Sequence, residues 1–167
     1  MKLINFDCLL YETTLDEDQD YNAYINKLDL KTFEANNNNY DKSPEDLKHK
    51  TQSRLNNFFI KILDKNKSLS HLTIRDCWVQ EYKEGQYHEI HTHDKDLLSF
   101  VYFSDCTEHS SEVTFYNLGY PNVVTHRYVV KPEKNKVIVF PGFLPHGVKP
   151  NKDNTRRIVS GNLLWQK

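Results

Sequence analysis

At 167 residues the chain is long enough for one domain with a real core and too short for two ordinary ones. Its 22 Lys and Arg residues against 23 Asp and Glu leave a formal net charge of −1. That balance argues against a broad nucleic-acid or anionic-membrane surface, gives no strong nucleic-acid signal, and points to a small partner.

Ten tyrosines, nine phenylalanines and two tryptophans, many in strand-like runs, favour a β-rich core. Cys8, Cys77 and Cys106 form no CxxC pair, so the thiols read as reduced and structural, not as a disulfide scaffold or a thiolate zinc site. The N-terminal stretch lacks the long apolar region of a signal peptide, and no segment reaches the roughly 18 apolar residues of a membrane span. A soluble, cytoplasmic protein is expected.

In chain order, residues 4–11 read as a short strand and 18–28 as a short helix, with the asparagine run 36–39 as a loop. Ser43-Pro44-Glu45-Asp46 has the composition of a helix start: serine can accept an orphan backbone hydrogen bond, and proline tolerates the first helical position. Leu55, Phe58, Phe59, Ile62 and Leu63 then recur at helical spacing as one apolar stripe, which predicts a helix covering a sheet. From Leu72 the period changes. Short apolar and aromatic runs at 73–82, 97–103, 112–116, 123–130, 136–140 and 156–165 are separated by turn and charged residues, as in hairpins. The expected organisation is a single domain, 1–167. A mixed helical portion, 1–70, packs on a mainly β core, 72–165, of sandwich or jelly-roll type.

Chemistry concentrates at His91-Thr92-His93 and His146. A two-residue step is the strand period, so His91 and His93 can project to one side, and tertiary folding can return His146 to them. Three such donors can hold a catalytic metal with coordination positions left open. His88, Glu89 and Asp94 are further local donors. His49, His71, His109 and His126 have no comparable spacing and read as structural or surface residues. Imidazoles suit iron and zinc, and the ligands alone do not choose between them.

Arg156 and Arg157 open the last predicted strand. Steps of two from Arg156 reach Ile158, Ser160 and Asn162; steps from Arg157 reach Val159, Gly161 and Leu163. If the face carrying Ser160 and Asn162 looks inward, Arg156 is the guanidinium that meets a bound anion, through a planar fork suited to a carboxylate. Tyr82, Tyr102 and Thr114 are candidate hydroxyl donors to the same pocket.

The stretches at 78–87, His91-Thr92-His93, 98–103, 137–148 and 156–162 resemble the non-haem Fe(II), 2-oxoglutarate-dependent oxygenases, in particular a small bacterial and phage branch. They cover about half of the chain. The resemblance implies a double-stranded β-helix (jelly-roll, cupin-like) with N-terminal flanking helices, and places His91 and His146 at the two iron-histidine positions. The broad superfamily usually has aspartate two residues after the first histidine; here that residue is His93. The resemblance further implies that Arg156 grips the distal carboxylate of 2-oxoglutarate, that Ser160 and Asn162 lie on the same polar face, and that Tyr102 assists.

The expected cofactors are therefore Fe(II), 2-oxoglutarate as co-substrate and dioxygen. The expected activity is hydroxylation of a small-molecule or protein-side-chain substrate, with no catalytic side chain beyond the metal ligands. Two alternatives stand beside it: a three-histidine cupin-like metalloenzyme that does not use 2-oxoglutarate, and a non-catalytic β-sandwich binding module. A homodimer is compatible with the edge strands and not established by them.

Overall fold

The computed structural model describes residues 2–5, 9–28, 30, 44, 46–67, 69–94, 98–117 and 127–166. The asparagine run 36–39, Ser43, Glu45, Cys8 and His126 lie outside the described residues.

Two antiparallel sheets face each other. The larger has the order β1-β2-β8-β5-β10-β3 and the smaller β4-β9-β6-β7. In the larger sheet β1 (Lys2–Asn5) pairs with β2 (Leu9–Thr14), β2 with β8 (Lys136–Pro141), β8 with β5 (Leu98–Cys106), β5 with β10 (Arg156–Gln166) and β10 with β3 (His71–Tyr82). The smaller sheet consists of β4 (His88–His91), β9 (His146–Val148), β6 (Val113–Tyr116) and β7 (Arg127–Val130). Sequence neighbours repeatedly pair outside their own hairpins. The result is a double-stranded β-helix of jelly-roll type with helices added at the N-terminal end.

The two helices exist because their apolar residues have somewhere to go. In α1 (Gln19–Lys27) the Asp18 side chain accepts from the Tyr21 N–H at 2.9 Å, which caps the first turn. α2 (Leu47–Lys65) buries Leu55, Phe58, Phe59 and Ile62 against the outer face of the larger sheet. Each of these side chains contributes roughly 1.5–3 kcal/mol on leaving water. Asp46 occupies the N-cap position of α2 without a side-chain cap bond.

Strand alternation divides the core in two. Phe100, Tyr102, Val137, Val139 and Val159 meet the helices, whereas Val101, Phe103, Ile138, Phe140 and Ile158 fill the space between the sheets. Gly161 is required in β10, where it lies between β3 and β5: a Cβ there would lie 2.4 Å from the Asp76 carbonyl oxygen and 2.6 Å from the Phe100 ring. Its lack of a side chain lets β3 and β10 stay in register around the neighbouring Ser160 and Asn162.

The structure sharpens the elements expected from sequence. The predicted strand at 4–11 is a hairpin of two strands, and the run at 97–103 extends to Cys106. The short strands β4 and β9 carry two of the predicted ligands, and neither has an apolar run of its own to announce it.

Candidate metal centre and its pocket

His91 ends β4 and His146 begins β9, and the two are direct partners across that antiparallel pair. Their ring centroids are 4.3 Å apart. His93 arrives differently. β4 stops at His91, so the two-residue step is not realised on a regular strand; the chain turns, and the His93 N–H donates to the Gly142 carbonyl at 2.6 Å. Its ring nevertheless lies 5.3 Å from His91 and 5.1 Å from His146. One potential ligand atom from each of the three lies within 4.8 Å of the others, and no other such cluster of His, Cys, Asp or Glu occurs among the described residues.

Hydrogen bonding sets the tautomers. His91 Nδ1 is 2.8 Å from the Glu89 carbonyl oxygen and His146 Nδ1 is 2.9 Å from that of Leu144. A carbonyl only accepts, so both Nδ1 atoms carry the proton and both Nε2 atoms keep a free lone pair. His93 Nδ1 faces Asn162 Oδ1 at 2.8 Å and Ser99 Oγ at 2.9 Å. All three imidazoles are thus held by one nitrogen and left basic at the other, the arrangement that metal-ligating histidines show.

Burial keeps His91 and His146 neutral. His146 is almost completely enclosed, and desolvation, reinforced by His91, holds its pKa well below the ordinary imidazole value. Burial also lowers His91, opposed by the Glu89 carbonyl. His88 stacks on His91 at 4.0 Å and is pushed down to about 4, first by desolvation and then by its histidine neighbours. A metal would therefore meet few protons to displace near neutral pH.

Beyond the triad a pocket runs between the sheets past Trp78, Gln80, Tyr82, His88 and Ser160 to Arg156. None of the described residues lining it is acidic. Arg156 is completely buried; its Nε donates to the Ser111 carbonyl at 2.9 Å, while Nη1 and Nη2 have no hydrogen-bond partner among the described residues. Desolvation lowers its pKa, and the adjacent Tyr82 acts in the opposite sense. A buried guanidinium with two unsatisfied nitrogens is expensive, and its fork is what a carboxylate would satisfy.

The remaining predicted residues separate by strand face. Ser160 lines the pocket, and Asn162 reaches His93. Arg157 turns the other way and donates to the carbonyls of Asn26 and Leu28 at 2.6 and 2.7 Å, closing the end of α1 onto the sheet. Tyr102 is a correction. It lies on the helix-facing side of β5, where its hydroxyl is 2.9 Å from both Asn22 Oδ1 and Asn135 Oδ1. Strand alternation gives the inward positions to Val101 and Phe103 instead, so Tyr102 has no access to the pocket. Thr114 is buried outside the pocket wall.

Sequence reasoning overlooked Gln80, Ser99 and Asp76. A signal was available for one of them, since Gln80 and Tyr82 share a phase on β3; Asp76 and Ser99 become partners of Asn162 only once the three strands are in register.

The family described as "Putative 2OG-Fe(II) oxygenase" matches residues 76–161, about half of the chain. No curated protein matches the sequence. Among solved structures, a 2OG-Fe(II) oxygenase family oxidoreductase from Burkholderia pseudomallei superimposes with a TM-score of 0.56 at 17% identity. That match covers 72% of this chain and 60% of the Burkholderia protein, so the chain spans under two thirds of that relative's length. The viral collagen prolyl hydroxylase of Paramecium Bursaria Chlorella virus-1 gives 0.52 at 19% identity, covering 73% of this chain and 75% of the viral one. A prolyl-4-hydroxylase from Pseudomonas putida gives 0.52 at 16% identity, with 72% and 69% covered. At these identities the likeness is one of fold, and it agrees with the two-sheet architecture. On the match across residues 76–161, this chain belongs to the 2OG-Fe(II) oxygenase family.

Proposed function

We propose that this chain is a metal-dependent oxidoreductase whose metal, iron(II), is held by the three neutral imidazoles of His91, His93 and His146. The observation that carries the proposal is the tautomer arrangement: each Nδ1 is occupied by an outer hydrogen bond, and the three ligand atoms converge within 4.8 Å. Imidazole donors suit iron, and three of them leave room for substrate and oxygen. When bound, iron(II) would supply the redox chemistry, and the chain's own residues supply the rest. His91 and His146 offer lone pairs from a dry wall, His93 offers one from the loop after β4, and Trp78 and Phe140 exclude water around them.

The finer reading is that the co-substrate is 2-oxoglutarate, with dioxygen as oxidant and an organic C–H bond as the site of hydroxylation. Two features of the pocket support it. A dication on three neutral ligands keeps its full charge, and Arg156 places a second, unpartnered positive group in a pocket with no acidic residue among those described. Such a pocket favours a small dianion spanning both ends, with a carboxylate on the Arg156 fork and Ser160 and Gln80 along its flank. The competing reading keeps the three-histidine metal and replaces 2-oxoglutarate by another ligand. The absence of a carboxylate from the predicted ligand set favours it.

Anaerobic addition of iron(II) and then 2-oxoglutarate to the metal-free protein decides between them. A visible charge-transfer band on adding 2-oxoglutarate, lost in Arg156→Met, supports co-substrate chelation. Iron binding with no band and no 2-oxoglutarate affinity selects the other metalloenzyme. Metal affinity unchanged in His91→Ala, His93→Ala and His146→Ala would overturn both.

A further inference from the structure

Asn162 is the middle of a row of three side chains crossing the larger sheet. Its cross-strand partners are Ser99 on β5 and Asp76 on β3. Asn162 Nδ2 donates to Asp76 Oδ1 at 2.7 Å, Ser99 Oγ donates to Asn162 Oδ1 at 2.9 Å, and His93 Nδ1 lies 2.8 Å from the same Oδ1. A β-bulge follows directly between Asn162 and Leu163, where the extra twist re-aims the strand.

The amide has one orientation here. The Asp76 carboxylate only accepts, so Nδ2 must face it and Oδ1 must face His93. Oδ1 in turn only accepts, so the His93 proton sits on Nδ1 and the lone pair on Nε2. A carboxylate on β3 thereby determines the tautomer of an imidazole in the loop after β4. The other two imidazoles lean only on backbone carbonyls, from Glu89 and Leu144. His93 alone among them is connected to a formal negative charge.

We propose that Asp76 and Asn162 form an outer relay that supplies to His93 part of the negative charge which a carboxylate ligand would bring to the metal itself. Asp76 is a positioning residue: through the Asn162 amide it fixes the His93 ring and raises the basicity of Nε2. The proposal rests on the three-histidine metal site and deepens it. Arg75 Nε holds the second Asp76 oxygen at 2.5 Å, and the two side chains are 42% and 43% exposed, so water and Arg75 screen part of the charge. The effect on metal affinity belongs at the low end of the outer-shell range, roughly tenfold.

The test is the zinc affinity of the full chain, measured by chelator competition, together with melting of the metal-free protein. Asp76→Asn keeps the shape and removes the charge; it is expected to weaken zinc binding roughly tenfold. The metal-free melting temperature should not fall in proportion. Adding Asn162→Asp to Asp76→Asn moves the carboxylate one step inward, onto His93 Nδ1, and should restore affinity to within about threefold of wild type. Asn162→Leu cuts the relay while leaving Asp76 with Arg75, and should weaken binding as much as Asp76→Asn. Wild-type affinity in Asp76→Asn or in Asn162→Leu, or a double variant no tighter than Asp76→Asn, overturns the relay. His93→Ala separates the two levels: wild-type affinity there overturns the three-histidine site as well, whereas a large loss there with Asp76→Asn unchanged overturns the relay alone.

Discussion

Arg156 and Tyr82 are partners across β10 and β3, and the guanidinium carbon of Arg156 sits 4.3 Å from the centre of the Tyr82 ring. Around this cation lie the ring's negative face, the Ser111 carbonyl and, at 5.6 Å, the Phe103 ring. Two of its donor nitrogens are buried with no partner among the described residues. In the proposed reading an anion completes this fork, and until it does so the buried charge costs stability.

Replacing Arg156 by Met should reveal that cost. The metal-free, ligand-free variant is expected to be more stable than wild type by about 1–3 kcal/mol, because a buried charge without a counterion is exchanged for an apolar side chain of similar length. Binding of 2-oxoglutarate, measured by calorimetry on the metal-loaded protein, should weaken at least about tenfold. A variant that melts lower and binds the dianion as well as wild type would contradict both halves.

Alanine at His91, His93 or His146 should each reduce metal affinity by more than about a hundredfold, beyond what loss of an outer-shell partner causes. His88→Ala is the contrasting case. His88 stacks on His91 and lies 3.3 Å from the Tyr82 hydroxyl, but it is outside the triad. Its removal should change affinity by less than about threefold. Zinc titration by chelator competition distinguishes the four variants.

The stability of the metal-free protein should fall as pH falls through the window from the ordinary histidine value of 6.5 to about 4, the value to which His88 is pushed. The unfolded chain takes up protons at these histidines before the folded chain does, because burial depresses His88, His91 and His146. Stability therefore rises with pH across that window. Each fully buried group can contribute up to about 1.4 kcal/mol per pH unit, and His88 less, since water screens part of its penalty. Thermal melts against pH check the sign; a melting temperature flat across the window would contradict it. Zinc should steepen the dependence, because it binds only neutral imidazoles.

Tyr102→Phe should separate structure from chemistry. The hydroxyl joins Asn22 of α1 to Asn135, whose backbone has a left-handed φ of 68° in the turn before β8. Losing it should cost about 1–2 kcal/mol of stability. Metal and 2-oxoglutarate affinities should remain at wild-type values, since the side chain faces the helices. Loss of dianion binding with no change in melting would instead place Tyr102 in the pocket.

The histidine trio was legible because the two-residue step from His91 to His93 sets these apart from the other histidines, and the strand runs were legible because aromatic and β-branched residues cluster in them. The relative phase of Arg156, Ser160 and Asn162 was legible too, since side-chain direction along a strand has a period of two. Tyr102 shows the limit of that reasoning. The period says which residues share a face, not which face turns inward, and the inward side of β5 proved to be that of Ser99, Val101 and Phe103. β4 and β9 were not among the expected strand runs because His-Glu-Ile-His and His-Gly-Val contain one apolar residue each and form no apolar run.

The donor types, the strand-rich second half and the amphipathic helix that covers it follow from local composition and period. Only the tertiary structure decided that Arg156 points into the pocket while Arg157 ties down α1, and that Asp76 reaches His93 through Asn162. Those outcomes depend on which strands pair and in what register. Register is fixed by contacts between residues as far apart in the chain as Asp76 and Asn162, and no local pattern encodes it.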